Sequence, residues 1–249
     1  MAARSDKVTD PAIQADLLLA RRGQAYFSRK LNELDDGEFD EESGIEGWSR
    51  GHVIAHVGYH ARGLARMVES AATGADIAMF DSTAQFLDEV EYGATLVPFA
   101  LRNLSDHAAV HLTVEWRDLD DDRWGAAAAV RPGRVVPIAS TPIMRAFETW
   151  IRAVDLRNGG TFAEFPDVLV DRILAEVVSD WRSAGDLQLL LRPIDRQQEQ
   201  TSTAAAGRGL PVVTGTARDL ARWATGRGAG PSVACAGGAL PEPPLWLED

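Results

Sequence analysis

Five histidines are the side chains of this sequence best suited to acid–base or metal chemistry, and all lie in two stretches predicted to be helical. His52, His56 and His60 follow one another at intervals of four residues, and His107 and His111 form a further such pair. Side chains four residues apart lie on one face of a helix, so two neighbours could share a metal ion. His52 and His60 are separated by about 12 Å along a helix axis and could not easily do so. The same spacing suits histidines on a helix face or in buried hydrogen bonds, and by itself it favours that interpretation.

Two carboxylates, Glu148 and Asp155, lie in a strongly apolar stretch that is also predicted to be helical. A carboxylate in such surroundings costs free energy to bury unless it is paired or coordinated. Arg152 follows Glu148 by four residues, in the orientation that favours an ion pair along a helix. The alternative is that Glu148 faces the protein interior and binds a metal together with a histidine. The spacing favours the ion pair.

The charge balance argues against nucleic acid as a partner. The chain has 25 Lys and Arg against 37 Asp and Glu, which gives a net charge of −12 and a pI near 4.9. Phosphate backbones are bound by clustered basic side chains, and the arginines here are scattered. We therefore expect no nucleic-acid partner.

The single cysteine and the hydropathy pattern exclude further classes of protein. One cysteine, Cys235, allows neither an intramolecular disulfide nor a cysteine-based zinc knuckle. It stands among small apolar residues, where we expect an inert side chain rather than a reactive thiol. Thiol chemistry would then need a thiol from outside. There is no apolar signal segment and no apolar run of about 18 residues, so we expect a cytoplasmic protein that does not contact membranes.

Hydrophobic periodicity and capping signals predict a helical first part of the chain. The predicted helices are 11–34, 49–73, 82–90, 98–118, 141–158 and 166–183. Ser49 is the predicted N-cap of the second helix, and Gly74 is its predicted end. Two short extended runs around Pro132 and Gly133 predict a β-hairpin.

The character of the sequence changes after Gly185. Strands are predicted at 187–193 and 210–216, separated by a polar stretch, and a short helix at 217–225 precedes a tail rich in Gly and Pro. We therefore predict two domains. A helical bundle over 1–184 would bind metal and thiol, and a small α+β domain over 185–249 would pack on it.

Several segments, in one order along almost the whole chain, resemble the mycothiol-dependent maleylpyruvate isomerases. The clearest is Gly-Trp-Ser-Arg-Gly-His-Val-Ile-Ala-His-Val-Gly-Tyr-His-Ala at 47–61. The other similar segments are 91–98, 100–104, 144–156, 215–228 and the closing Pro-Glu-Pro-Pro-Leu-Trp-Leu. The resemblance implies a DinB-like four-helix bundle followed by a small α+β domain similar to sterol-carrier proteins.

The resemblance also implies a divalent metal, usually zinc, held in the bundle by two histidines and one glutamate. His52 matches the first histidine and Glu148 matches the glutamate, but the position of the second histidine is occupied by Arg152. Arginine stays protonated, offers no lone pair to a metal, and places a permanent positive charge beside the site. Two protein ligands are fewer than the three usual for catalytic zinc, although His56 could supply a substitute. Metal binding and its loss both remain open at this stage.

Arginines are the residues that the resemblance implies for binding the substrate. Arg222, in the C-terminal helix, matches an arginine that faces substrate in the family, while its alternative role is that of a solvated helix residue. Phe86 stands where the family has another arginine, so one cation for a substrate carboxylate is missing. Arg152 could replace that cation, because a guanidinium binds carboxylates through two hydrogen bonds.

The activity implied by the resemblance is a cis–trans isomerisation. Mycothiol, held as thiolate by the metal, adds to the conjugated double bond of maleylpyruvate; the bond rotates, and loss of the thiolate gives fumarylpyruvate. We therefore predict a monomeric, mycothiol-dependent isomerase acting on a small anionic substrate. Two alternatives are a mycothiol S-transferase or thiol-exchange enzyme of secondary metabolism, and a metal-free binding protein on the same fold. Arg152 is the feature that separates the isomerase from the binding protein.

Overall fold

The structure, a computed structural model, describes residues 5–131, 133–185, 189–196, 210–236 and 238–244. Within these ranges the chain forms seven α-helices and five β-strands. It divides into two compact units, Met1–Gly160 and Thr161–Asp249. The domain boundary predicted after residue 184 lies one helix further along the chain than the division between these two units. That boundary stays a prediction.

Four long helices form the bundle of the first unit: α1 (Pro11–Asn32), α2 (Arg50–Thr73), α4 (Pro98–Asp118) and α5 (Thr141–Asp155). Helix α1 packs along α5, α2 packs along α4, and α2 also contacts α5. The shorter helix α3 (Thr83–Ala94) lies against α2. Apolar side chains such as Phe27, Leu64 and Ile151 are fully buried between the helices. Each of them contributes about 1.5–3 kcal/mol of hydrophobic free energy. The predicted four-helix bundle is confirmed.

Helix α2 begins and ends where its capping residues predict. Ser49 is the N-cap, and its backbone N–H donates to Nδ1 of His52 over 3.1 Å in a capping box. Gly74 ends the helix with a φ of 77°, in the left-handed region that favours glycine. In the middle of the helix, a Cβ on Gly58 would lie 2.7 Å from Cγ of Leu104, so glycine allows α4 to pack closely there.

A hairpin connects α4 to α5, as predicted. Strands β1 (Ala127–Arg131) and β2 (Arg134–Pro137) pair in antiparallel fashion, and Gly133 in the turn has a φ of 84°. Pro132, the other predicted turn residue, lies outside the described residues. Helix α5 ends at Asp155, three residues before its predicted end at 158.

The second unit is a small α+β arrangement. Helix α6 (Asp167–Ala184) packs on α7 (Ala217–Ala224), and Trp181 and Trp223 meet edge to face. Strand β4 (Val212–Gly215) pairs in parallel with β3 (Leu190–Pro193) and antiparallel with β5 (Ala234–Cys235). The predicted fold class, mainly helical with a C-terminal α+β part, is confirmed.

Some predictions for the second unit fall beyond the described residues. The first residues of the predicted strand at 187–193, most of the polar stretch 195–209 and the closing Leu-Trp-Leu belong to this group. Strand β5 was not predicted. It contains Cys235, which is half-buried. None of the described helices is both long enough and apolar enough to span a membrane.

Candidate active site

A tight loop before helix α2 carries Trp48. The N–H of Ser43 donates to the carbonyl of Trp48 over 3.0 Å, and the N–H of Trp48 donates to the carbonyl of Ile45 over 3.1 Å. Gly47, directly before the tryptophan, has a φ of 79°, which a residue with a Cβ adopts only with strain. The loop geometry therefore holds the indole in one place.

Trp48 contacts two predicted site residues, His52 and Arg152, and also His56. Its ring centroid lies 6.1 Å from the ring of His52 and 5.4 Å from that of His56. The Cζ of Arg152 lies 5.9 Å from the indole centroid, within cation–π range. Trp48 thus joins the start of α2 to α5. Sequence reasoning did not single it out, although it stands inside the 47–61 motif.

His56 and Glu148 form the central contact between α2 and α5. Nδ1 of His56 lies 2.7 Å from Oε1 of Glu148, and both side chains are buried. Because the carboxylate can only accept, the ring donates through Nδ1–H. Phe86 meets the His56 ring edge to face at 4.9 Å and stacks on Phe80, so an apolar wall encloses the pair.

Arg152 continues this contact along α5. Its Nε lies 3.4 Å from Oε1 of Glu148, and its Nη1 lies 3.2 Å from Oδ2 of Asp155. The predicted Glu148–Arg152 ion pair is therefore confirmed, with both side chains buried. The carbonyl of Asp155 also accepts a hydrogen bond from the N–H of Gly44 over 2.7 Å. We call His56, Glu148, Arg152 and Asp155 the buried charge network.

Glu148 is ionised in this network. Burial by itself would raise the pKa of its carboxyl. The charges of His56 and Arg152, together with the hydrogen bond from His56, outweigh burial and hold that pKa well below its usual range. The buried carboxylate is thus compensated by groups of the protein itself.

Arg145 is a second buried guanidinium on α5, and sequence reasoning missed it. Burial lowers its pKa to about 10, partly offset by the charge of Glu148. Its Nη1 donates to the carbonyl of Val57 and its Nη2 to Oε1 of Gln24, each over 2.7 Å. The spacing of 145, 148, 152 and 155 places all four residues on one face of a helix. That all four side chains are buried is decided by the packing of that helix.

His52 lies at the edge of the bundle and does not belong to the buried charge network. Its Nδ1 accepts from the backbone N–H of Ser49 over 3.1 Å and also lies 2.8 Å from Oγ of that residue. The proton of the neutral ring is therefore on Nε2, which lies 3.3 Å from Oε2 of Glu91. The ring thus links the start of α2 to Glu91 on α3.

His52 also lines a cleft of about 590 Å³ in the first unit. This volume is within the range of small-molecule sites. The residues of the lining that bear on its chemistry are Asp40, Glu42, Glu46, Trp48, His52 and Arg157. Three carboxylates, one guanidinium, one indole and one imidazole therefore surround the space.

Comparison with known proteins decides the family. The model of the mycothiol maleylpyruvate isomerase N-terminal domain matches residues 20–157. A crystal structure of the mycothiol-dependent maleylpyruvate isomerase is 38% identical, with a TM-score of 0.89, over 94% of this chain and 97% of that one. The chain belongs to the mycothiol maleylpyruvate isomerase family. A histidine-to-alanine variant of that enzyme matches with a TM-score of 0.88 and the same identity and coverage. Curated protein sequences give no match.

The site residues carried over from the family lie in both units. His52, Glu148 and Arg152 belong to the first unit. Arg222 belongs to the second, on the exposed side of α7, where its Nε donates to the carbonyl of Arg227 over 3.0 Å. His107 and His111 lie on the exposed face of α4, and His111 contacts Glu115. These two histidines are therefore exposed residues on a helix face, which is the interpretation that their spacing favours.

The donor set of this family member does not fit a divalent metal. Within the described ranges no three His, Cys, Asp or Glu side chains are placed to hold one ion. Oε1 of Glu148 accepts from His56 and Arg152, and Nδ1 of His52 accepts from Ser49. A catalytic zinc site normally has three protein ligands with available lone pairs.

Proposed function

We propose that this chain is an enzyme, a mycothiol-dependent isomerase of the maleylpyruvate isomerase type. It would convert a cis double bond conjugated to a carbonyl into the trans form. The observation that carries this proposal is the 38% identity to the mycothiol-dependent maleylpyruvate isomerase over 94% of the chain. A match of this length includes both compact units, so it is not a similarity of the helical bundle alone.

The cleft beside His52 supports a thiol-binding role. Mycothiol, when bound as thiolate, supplies a nucleophile that adds reversibly to a conjugated double bond. The carboxylates of Asp40, Glu42 and Glu46 favour a ligand that bears hydroxyl groups over a dianion, and the Trp48 ring offers an apolar wall. We therefore assign this cleft to the thiol rather than to the anionic substrate.

His52 has the geometry of a donor to developing negative charge. Addition of a thiolate to a conjugated carbonyl compound places charge on the carbonyl oxygen, and a fixed N–H donor stabilises that charge. Nε2–H of His52 is such a donor, because the bond from Ser49 to Nδ1 fixes the tautomer. We propose that this N–H, which lies near Glu91, donates to the enolate oxygen during the reaction.

The two arginines have different roles in this proposal. Arg222 is exposed and binds a substrate carboxylate. Arg152 donates to two carboxylates of its own helix, so it is a positioning residue. It holds Glu148 and, through Glu148, the ring of His56.

The test is isomerisation of maleylpyruvate by the purified full-length chain. The cis substrate and the trans product are resolved by proton NMR. We expect turnover with mycothiol and none without a thiol. Glutathione serves as the control for thiol identity. Conjugation of mycothiol to another electrophile without isomerisation would favour the S-transferase. Binding of mycothiol without any reaction would favour the binding protein, and either result would overturn the isomerase.

A further inference from the structure

We propose that the first unit of this chain works without a divalent metal, and that the guanidinium of Arg152 provides the positive charge beside Glu148 in place of an ion. This inference goes beyond the proposed function, which does not specify how charge is balanced in the bundle. It rests on three features of the described residues: the partners of Glu148, the enclosure of His56 and the tautomer of His52.

The carboxylate oxygen of Glu148 that a metal would need already has partners in the protein. His56 Nδ1 lies 2.7 Å and Arg152 Nε lies 3.4 Å from the same oxygen, Oε1. Arg152 reaches a second buried carboxylate, Asp155, through Nη1 at 3.2 Å. Because a guanidinium never deprotonates in proteins, this positive charge is permanent and repels a second cation at the same oxygen.

Aromatic side chains pack on the buried ring of His56. Phe86 packs edge to face on the imidazole and is itself stacked on Phe80 at 4.0 Å. The ring of Trp48 also packs on His56, tilted, with the ring centroids 5.4 Å apart. A catalytic metal keeps an open coordination position for water or ligand, and aromatic rings cannot supply it. The aromatic rings therefore favour His56 as a hydrogen-bond donor to Glu148 over His56 as a substitute metal ligand.

The tautomer of His52 opposes coordination through the nitrogen that faces outward. For Nε2 to bind a metal, the proton of the neutral ring would have to move to Nδ1. There it would face the backbone N–H of Ser49, which donates to Nδ1 over 3.1 Å. Coordination would thus exchange the bond from the Ser49 N–H, which is one half of the capping box at the start of α2, for a bond from Nδ1–H to Oγ of Ser49, 2.8 Å away.

The experiment measures zinc binding by the full-length chain independently of activity. Wild type and Arg152→His are loaded with zinc, passed through gel filtration and assayed for metal per chain by elemental mass spectrometry. We expect no retained zinc in wild type and about one zinc per chain in Arg152→His, because the substitution replaces a cation by a neutral donor four residues from Glu148. Arg152→Lys keeps the charge and is expected to stay metal-free.

Two further variants identify the site and control for the surface. Adding Glu148→Gln to Arg152→His removes the carboxylate and is expected to abolish the gained zinc. His111→Ala, introduced into each protein, removes an exposed histidine that contacts Glu115 and leaves the result unchanged. Circular dichroism of each variant verifies that it is folded. If Arg152→His does not fold, the wild-type measurement still decides the proposal.

One zinc per wild-type chain that is lost in Glu148→Gln or His52→Ala would overturn the proposal. A folded Arg152→His protein without zinc would overturn the assignment of Arg152 as the group that excludes the ion. Nitrogen-15 NMR of the histidine rings provides a second readout. We expect Nδ1 of His52 to be unprotonated in wild type and its signal to be unchanged by zinc. Failure of isomerase turnover would alter none of these outcomes.

Discussion

His56 on helix α2 donates a hydrogen bond from Nδ1 to Oε1 of Glu148 on helix α5, over 2.7 Å and out of contact with solvent. The two residues are 92 positions apart in the sequence. Their contact fixes the relative position of the two helices that carry the candidate site. It also occupies the carboxylate oxygen that Arg152 approaches from its own helix.

Removing the Glu148 carboxylate is expected to destabilise the first unit strongly. In Glu148→Ala the buried Arg152 loses one carboxylate and His56 loses its acceptor. Breaking a buried ion pair in this way costs about 3–5 kcal/mol. The measurement is urea unfolding followed by circular dichroism. Glu115→Ala is the matched control on α4, because its partner His111 is exposed and surface pairs contribute about 0–1 kcal/mol. Equal losses in the two variants would contradict the prediction.

Changing Gly47 to alanine is expected to displace Trp48. The φ of 79° at Gly47 is costly for alanine, by about 1–2 kcal/mol, while a Cβ there would meet no atom within 4 Å. The effect therefore comes from the backbone and not from a clash. We expect a lower free energy of unfolding and reduced binding of mycothiol, measured by urea unfolding and calorimetric titration. Gly37→Ala is the control, since a Cβ at Gly37 also meets nothing and its φ is not positive. An unchanged affinity for mycothiol in Gly47→Ala would show that the position of Trp48 does not matter for thiol binding.

Substitution of Arg222 is expected to weaken binding of the anionic substrate without affecting folding. Its side chain is exposed and donates to the carbonyl of Arg227. Loss of a charge-assisted hydrogen bond of about 1.5–3 kcal/mol corresponds to a KM for maleylpyruvate raised by roughly tenfold or more in Arg222→Ala. Steady-state kinetics should show an unchanged KM for mycothiol. Arg222→Lys keeps the charge, and its KM for maleylpyruvate should lie between those of the wild type and Arg222→Ala. Equal increases in both KM values would argue that Arg222 acts on the fold of the second unit.

Asp6 is expected to make the stability of the first unit sensitive to acid. Its carboxylate forms a two-point ion pair with Arg21, over 2.6 and 2.7 Å, and the hydrogen bond from Arg21 holds the pKa of Asp6 below its ordinary value. Because the folded-state pKa is depressed, the pair stabilises the protein above about pH 4, the ordinary aspartate value. The contribution is lost as the pH falls through the folded-state pKa.

The check is urea unfolding of wild type and Asp6→Asn at a series of pH values. The variant should be less stable at pH 7 by about 1 kcal/mol or less, since the pair is partly exposed. The difference should disappear at the acid end of the series. Asp122→Asn, in the exposed 3-10 helix Asp121–Arg123, is the control and should have the same stability difference from wild type at every pH. A difference that grows in acid would contradict the sign of the prediction.

Chelation of divalent metals is expected to leave turnover unchanged. The charge beside Glu148 comes from Arg152, which a chelator cannot remove. Isomerase activity with mycothiol is measured before and after prolonged dialysis against a chelator. The Arg152→His variant loaded with zinc is the comparison, since its zinc should be lost under the same dialysis. Wild-type activity that falls on dialysis and returns with zinc would contradict the prediction.

Local signals in the sequence determined most of the first unit. Ser49 and Gly74 mark the ends of α2 because a capping side chain and a left-handed φ act within one turn of the helix. The pair Glu148–Arg152 follows from a spacing of four residues for the same reason. Similarity along the chain identified the family, and Arg152 at the position where the resemblance implies a metal ligand was visible without coordinates.

Tertiary structure alone decided which histidine meets Glu148. The sequence offered three histidines on one helix face, and only the packing of α2 against α5 selects His56 and leaves His52 in the helix cap. The same holds for Trp48 and Arg145, whose partners Arg152 and Val57 lie far away along the chain. Strand β5 likewise depends on its pairing with β4. Such contacts depend on how separate elements pack, and periodicity or capping within a single element contains no information about that packing.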